Sequence, residues 1–249
     1  MSVKEFQFAY SAKSSRLYGK TIAVEICPAY ICPFSCIHCR HGKMKRGTTE
    51  PASFFSPNDL SSTLAEFAKD VAPIDSIVLY ANGEPLLNAT IQSLIEILHH
   101  SFHRPIAIDS CGTLLWKDDV RDGIANADMV VAALDASDST IYQCVNRPQC
   151  GTSFDLFVEG LRRFSKTFKG KLFLRVTLLD GITAIEAEVK KLASIAGDIN
   201  PSKVILQTAC STSPEKFAFP VDIERLRSFS RFFKGKTIVM EHDSACRPA

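Results

Sequence analysis

Residues 32–39 read CPFSCIHC: three cysteines with three and then two residues between them, and His38 just before the last. Thiolates are ligands for zinc and for iron–sulfur clusters. A structural zinc site closes its coordination with four protein ligands, and ferredoxin-type runs supply a closely spaced fourth cysteine. No fourth follows Cys32, Cys36 and Cys39 at matching spacing, so the trio suits a metal centre that keeps one position open. The competing reading is a zinc site completed by His38, His41 or a distant cysteine. The other six cysteines, at 27, 111, 144, 150, 210 and 246, are scattered. Cys27 precedes a proline and reads as a small buried hydrophobe. Cys144 and Cys150, with Cys210 or Cys246, are either an auxiliary cluster set or plain core and surface thiols.

Further polar residues stand where apolar runs end. Strand-like runs lie at 21–26, 75–80, 105–110, 128–134, 171–179 and 203–208, with a weaker one, KTIVME, at 236–241. Helical patterns fall between them near 56–70, from a cap at Asn88 onward, and near 117–126, 138–145, 153–168, 184–196 and 222–234. Ser56-Pro57 has the form of an N-cap followed by proline at the first helical position, and Ile91, Leu94, Ile95 and Leu98 form one apolar stripe. Alternating strands and helices indicate parallel βαβ units, and six of them predict a single barrel, full or partial, of the α/β class.

In such a barrel function gathers at the carboxyl ends of the strands. CPFSCIHC follows the first run; Asn82, Gly83 and Glu84 follow the second; Asp109 and Ser110 close the third, and Asp135 the fourth. On the fifth, period-two alternation sends Phe173, Arg175 and Thr177 inward, with Leu172, Leu174, Val176 and Leu178 outward to the helices. Blander readings stand beside these. Glu84 can be a turn glutamate, Asp109 and Ser110 turn formers, and Arg175 the partner of Asp109 or Asp135 in a buried ion pair.

The bulk numbers limit the partners. With 249 residues, 46% of them hydrophobic, and a net charge of +2, the chain is an ordinary globular one. Residues 1–249 read as a single domain with a short extension from about 209. No signal-peptide pattern opens the sequence and no run approaches a membrane span, which predicts a cytosolic protein. The densest basic stretch, Arg40 to Arg46, abuts the cysteines. It is either a solvated loop or a contact for a polyanion. SSRLYGKT is not a phosphate loop, since its first glycine is missing and it runs into a strand.

On these residues the sequence resembles the radical S-adenosylmethionine superfamily. CPFSCIHC is similar to that superfamily's C-x3-C-x-Φ-C signature, which implies a loop after the first strand of a partial (β/α)6 barrel, and Ala81-Asn82-Gly83-Glu84-Pro85 to its glycine-glutamate motif, with Asn82 where many members have glycine. SSRLYGKTIAVEI, IDSCGTLL and LDASDSTIYQCVNRP look like the iron–sulfur oxidoreductases related to wyosine-base-forming tRNA enzymes. IDSCG and FLRVTLLDG also resemble the glycyl-radical-enzyme activating enzymes. The wyosine enzymes carry three further cysteines upstream for a second cluster, where this chain has only Cys27.

The resemblance implies a 4Fe–4S cluster on Cys32, Cys36 and Cys39, its fourth iron chelated by S-adenosylmethionine. Reductive cleavage then gives a 5′-deoxyadenosyl radical that takes a hydrogen atom from an RNA base or a protein or peptide. It implies Glu84 at the methionyl ammonium, Gly83 for close approach beside Asn82, and Arg175 at the carboxylate. Asp109, Ser110 and Asp135 are then expected near the ribose or sulfonium, and His38 near the adenine. A flavodoxin or ferredoxin is the expected electron donor. The alternatives are a zinc-stabilised RNA-binding module, and a cluster-binding protein without catalysis.

Overall fold

The computed structural model describes residues 8–71, 73–209, 215–234 and 237–239. Its eight strands make one sheet in chain order. β1 (Tyr10–Ser15) is antiparallel to β2 (Gly19–Glu25). Every later neighbour is parallel: β3 (Ser76–Tyr80), β4 (Ile106–Ser110), β5 (Met129–Ala133), β6 (Lys171–Leu178), β7 (Lys203–Thr208) and β8 (Thr237–Val239). β1 and β8 are the two edges, so the barrel is partial, as predicted. The helices are α1 (Pro57–Val71), α2 (Ile91–Phe102), α3 (Asp118–Gly123), α4 (Ser139–Val145), α5 (Phe154–Thr167), α6 (Glu186–Ile199) and α7 (Ile223–Phe229).

The strand sequences fit this place. Ile22, Val24, Ile77, Leu79, Ile106, Ile108, Leu172, Leu174, Val176 and Leu178 are all buried in the main core beneath the helices. The inward alternates Val131, Phe173 and Ile205 form a separate cluster inside the barrel, closed by Leu17 and Tyr18 of the β1–β2 turn. Strands covered on both faces need apolar residues at consecutive positions. The α2 stripe of Ile91, Leu94, Ile95 and Leu98 is fully used. Each such side chain contributes about 1.5–3 kcal/mol on burial.

Three expectations need correction. Strand β1 has no counterpart in the sequence reading, because YSAKSS is polar and largely exposed and shows no apolar run. Asn88 is not the N-cap of α2. Thr90 occupies that position, and Asn88 Oδ1 accepts from Thr90 N at 2.8 Å while its Nδ2 donates to Ile26 O at 2.7 Å. Asn88 therefore ties the loop after β3 to the end of β2. The last helix stops at Phe229 and tightens into a 3-10 turn through Phe233, short of the predicted 234. Of KTIVME, Thr237–Val239 extends the sheet beside β7; its remaining residues lie outside the described ones.

Candidate active site

Two cavities mark the ends of the barrel. The larger, about 630 Å³, lies at the amino ends of the strands against Asp75, Pro105, Ala127 and Lys171. The smaller, about 220 Å³, lies at the carboxyl ends and holds Cys32, Cys36 and Cys39 together with His38, Gly83, Ser110, Asp135 and Arg175. Size favours the first, chemistry the second. Parallel barrels place function at the carboxyl ends, and only the smaller cavity brings convergent thiols and titratable groups together.

The cysteine loop is held from both sides. Tyr30 sits in the left-handed region at φ 65, a conformation that costs a non-glycine residue about 1–2 kcal/mol. It is fixed there because its N–H donates to Asn82 O at 3.0 Å and its carbonyl accepts from Lys45 N and Arg46 N. Downstream, Ser35 N donates to Asn146 O and Ile37 N to Val145 O, at the carboxyl end of α4. Phe34 anchors the middle, edge-on to the rings of Tyr142 and Phe157. On the opposite wall, a Cβ on Gly83 would collide with the carbonyl oxygen of Ile31. Glycine is required there because the loop backbone passes directly against it.

Each sulfur of the trio has an N–H neighbour. Phe34 N donates to Cys32 Sγ at 3.4 Å, Asn146 Nδ2 lies 3.5 Å from Cys36 Sγ, and backbone N–H groups of His41 and Gly42 face Cys39. Burial pushes the Cys36 thiol well above its ordinary value, and the neighbouring Cys32, Asp135 and Cys39 push it further; burial likewise raises Cys39. Cys36 and Cys39 resist ionising, and all three sulfurs are met by N–H donors; that suits thiolates brought out by a metal centre, which deprotonates its thiols on binding. The donor set fits an iron–sulfur cluster. It fits zinc less well: His41 Nε2 accepts from Arg40 Nε at 3.0 Å, and His38 Nε2 faces Asp135 Oδ2 at 3.4 Å. Among the described residues no three His, Cys, Asp or Glu side chains are arranged to hold a single metal ion.

The remaining residues are brought to the same rim, though not all into the cavity. Glu84 is fully buried. Its Oε1 accepts from Ser110 Oγ at 2.6 Å and Leu86 N at 2.9 Å, and its Oε2 from Cys111 N at 2.8 Å. The carboxylate thus staples the end of β3 to the end of β4, behind the wall that Gly83 and Ser110 present. Asn82 donates through N and Nδ2 to the Glu25 carboxylate, at 3.0 and 3.1 Å. Arg175 pairs with Asp109, whose other oxygen accepts from Tyr18 OH at 3.4 Å; the ion-pair reading of Arg175 is the observed one. Among the cavity's lining residues that the sequence reading did not single out are Cys111, one position past the end of β4, and Asn146, after α4. The strand-end rule applied one residue further would have found Cys111. No local signal marks Asn146. Of the auxiliary candidates, Cys144 is exposed and Cys150 half-buried; Cys210 and Cys246 lie outside the described residues.

Asp135 is 3% exposed. Burial alone would raise its carboxyl, but His38, the Thr177 N–H and Arg175 outweigh it and hold the group below the ordinary aspartate value. A depressed carboxyl stabilises the fold above its unfolded value, and that stability is lost as pH falls through the folded value. Asp135→Asn should therefore flatten the acid limb of the stability curve below about pH 4, read by urea unfolding at several pH values.

The sequence profile of the Radical SAM superfamily matches residues 26–193, well over half of the chain. The chain belongs to the radical SAM superfamily. This radical SAM enzyme is 30% identical over 227 residues to the UPF0026 protein MJ1312 of Methanocaldococcus jannaschii, covering 90% of this chain and 70% of that protein. It is 27% identical over 252 residues to a UPF0026 protein of Helicobacter pylori, covering 99% and 80%. Its fold is similar to that of a radical SAM methyltransferase from Sphaerobacter thermophilus, with TM-score 0.68 and 17% identity over 88% of this chain and 66% of that one. It is also similar to archaeal TYW1, with TM-score 0.59 and 13% identity over 87% and 72%. The chain spans just under two thirds of the methyltransferase's length. Membership implies a 4Fe–4S cluster with three cysteine ligands, S-adenosylmethionine and a reductant. Among the described residues no helix is long and apolar enough to cross a membrane.

Proposed function

We propose that Cys32, Cys36 and Cys39 hold the cluster and that S-adenosylmethionine occupies the cavity between the cysteine loop and the ends of β3 to β6. The observation that carries this is the convergence of all three thiols and the strand-end polar groups on one cavity. A cluster held there by Cys32, Cys36 and Cys39, and reduced by a flavodoxin or ferredoxin, would supply the electron for reductive cleavage of S-adenosylmethionine and so for hydrogen abstraction from a substrate.

The protein's own residues orient and enclose. Gly83 and Ser110 line the wall facing the cysteine loop, suited to the methionyl end, with Glu84 accepting the Ser110 hydroxyl and holding that wall in place. Asp135, kept ionised by His38 and Thr177 N–H, and the Asp109–Arg175 pair face the same space from β4 to β6 and suit the ribose hydroxyls and carboxylate. His38 Nδ1 is buried without a hydrogen-bond partner, leaving a polar atom for a bound base to meet. Asn146 tunes through Cys36, since an N–H donor stabilises the more negative, reduced cluster. Asn146→Ala should lower the midpoint potential by about 20–60 mV, the equivalent of one weak hydrogen bond, in an EPR-monitored redox titration.

The substrate is an RNA base or a protein or peptide. The exposed Lys43, Lys45 and Arg46 beside the cavity mouth favour a polyanion, and archaeal TYW1 is a structural neighbour. SuiB, solved with its precursor peptide, has a similar fold at TM-score 0.65 and keeps the peptide arm in the test. Anaerobic protein given S-adenosylmethionine and dithionite, with transfer RNAs or polypeptides added separately, should release 5′-deoxyadenosine in response to the RNA. Release in response to polypeptide alone would move the substrate to that class, and no cleavage under any reductant would overturn the enzyme reading.

A further inference from the structure

The rim beside the cavity carries two uncovered aromatic rings. Ala218 is buried in a small cluster with Ile37 of the cysteine loop, Val145, Leu179 and Ala209, and Ala209 itself lines the cavity. With Ala218 anchored there, and Asp180 N donating to Phe219 O at 3.0 Å, the flanking Phe217 and Phe219 are left 44% and 58% exposed. Cations adjoin them. Arg147 pairs with Glu215 at 2.6 Å and sets its guanidinium 5.8 Å from the centre of the Phe217 ring, and Lys216 is exposed. Arg147 O accepts from Ser35 N in the cysteine loop, and Gln149 N donates to Pro33 O at 2.8 Å. The Gln149 side chain lies where a Cβ on Gly47 would stand. The segment from Arg147 to Gln149 therefore joins the aromatic pair to the exposed Lys43, Lys45 and Arg46, which immediately precede Gly47. That basic run has no Phe, Tyr or Trp of its own; the fold brings rings to it from residues 217 and 219.

We propose that this rim is the docking surface for an unpaired segment of RNA, whose phosphates meet the cations and whose bases stack on Phe217 and Phe219. This deepens the RNA reading of the substrate and rests on it. Flat apolar faces set among cations match the alternation of bases and phosphates in a single strand. A duplex fits less well, because its bases already cover one another's faces. A protein partner also fits less well, since the buried centres of protein interfaces are depleted in lysine, whereas these rings stand beside Lys216 and Arg147 and on one strip with Lys43, Lys45 and Arg46.

The test is fluorescence anisotropy of anaerobically reconstituted full-length protein with a labelled single-stranded RNA of about 12 nucleotides, repeated over a range of salt. Phe217→Ala and Phe219→Ala should each weaken binding about 5–100-fold, the loss of one stacked base, and leave the slope of log affinity against log salt unchanged. Replacing Lys43, Lys45 and Arg46 together by alanine should instead reduce that slope by about 2. Phe217→Trp should bind at least as tightly as the unsubstituted protein. Both rings are exposed, so their substitution leaves the core intact, and equal iron content across the variants checks it. Unchanged affinity in both alanine variants, or equal affinity for a duplex of the same length, would overturn this surface; if transfer RNA still triggered 5′-deoxyadenosine release, the substrate reading would stand. Release triggered by polypeptide alone, with no RNA bound by the unsubstituted protein, would overturn both.

Discussion

Cys36→Ala protein purified without oxygen is expected to contain almost no iron or sulfide and to cleave no S-adenosylmethionine above background. The reason lies in the number of ligands. With three loop cysteines as the ligands, removing one leaves two, and no other cysteine of the loop can replace it; the cavity's remaining thiol, Cys111, follows β4 instead. The loss should be specific to the loaded state. Without the cluster, Cys36 contributes packing and a long contact to Asn146 Nδ2 at 3.5 Å. The substituted apoprotein should therefore be within about 1.5 kcal/mol of the unsubstituted apoprotein in urea unfolding. A large loss of apoprotein stability would instead mean that Cys36 is a core residue.

Glu84→Ala should behave in the opposite way, destabilising loaded and cluster-free protein alike by about 3–5 kcal/mol. The carboxylate is wholly buried and receives Ser110 Oγ, Leu86 N and Cys111 N. Its removal strands three donors where water has little access, and each stranded group costs about 1–3 kcal/mol. For a chain of this size that is a fall in the melting temperature of about 6–20 °C. Glu84→Gln keeps one acceptor oxygen but turns an amide N–H₂ toward a donor, and should lose about half as much. Burial raises the Glu84 carboxyl despite its donors. Where the folded group keeps its proton and the unfolded one has lost it, stability falls as pH rises. Part of the Glu84 contribution is therefore greatest on the acid side of neutrality.

The sequence made the barrel legible because its strands are apolar on both faces: the consecutive residues Ile77, Val78 and Leu79, or Val204, Ile205 and Leu206, declare a covered parallel strand without any tertiary knowledge. Tyr10–Ser15 carries no such pattern, and pairs with β2 by backbone hydrogen bonds whose donors and acceptors every sequence possesses. The cysteine trio was legible from spacing. The strand-end rule located Gly83, Ser110, Asp135 and Arg175 on the cavity wall, but it could not say which polar groups satisfy one another. Glu84, expected to face the ligand, is consumed by Ser110, Leu86 and Cys111, and Arg175 is paired with Asp109. Those choices depend on how neighbouring strand ends are staggered. Asn146 comes near Cys36 only because α4 ends beneath the cysteine loop, a long-range contact with no trace in local sequence.

The central claim is that the three-cysteine loop presents a cluster to S-adenosylmethionine within the rim cavity. Its most direct test is the EPR spectrum of the anaerobically reduced protein recorded before and after S-adenosylmethionine is added. The account predicts a reduced 4Fe–4S signal whose shape changes on addition, as the amino and carboxylate groups take the open iron. A cluster signal indifferent to S-adenosylmethionine at saturating concentration, or one equivalent of zinc with no iron, would contradict it.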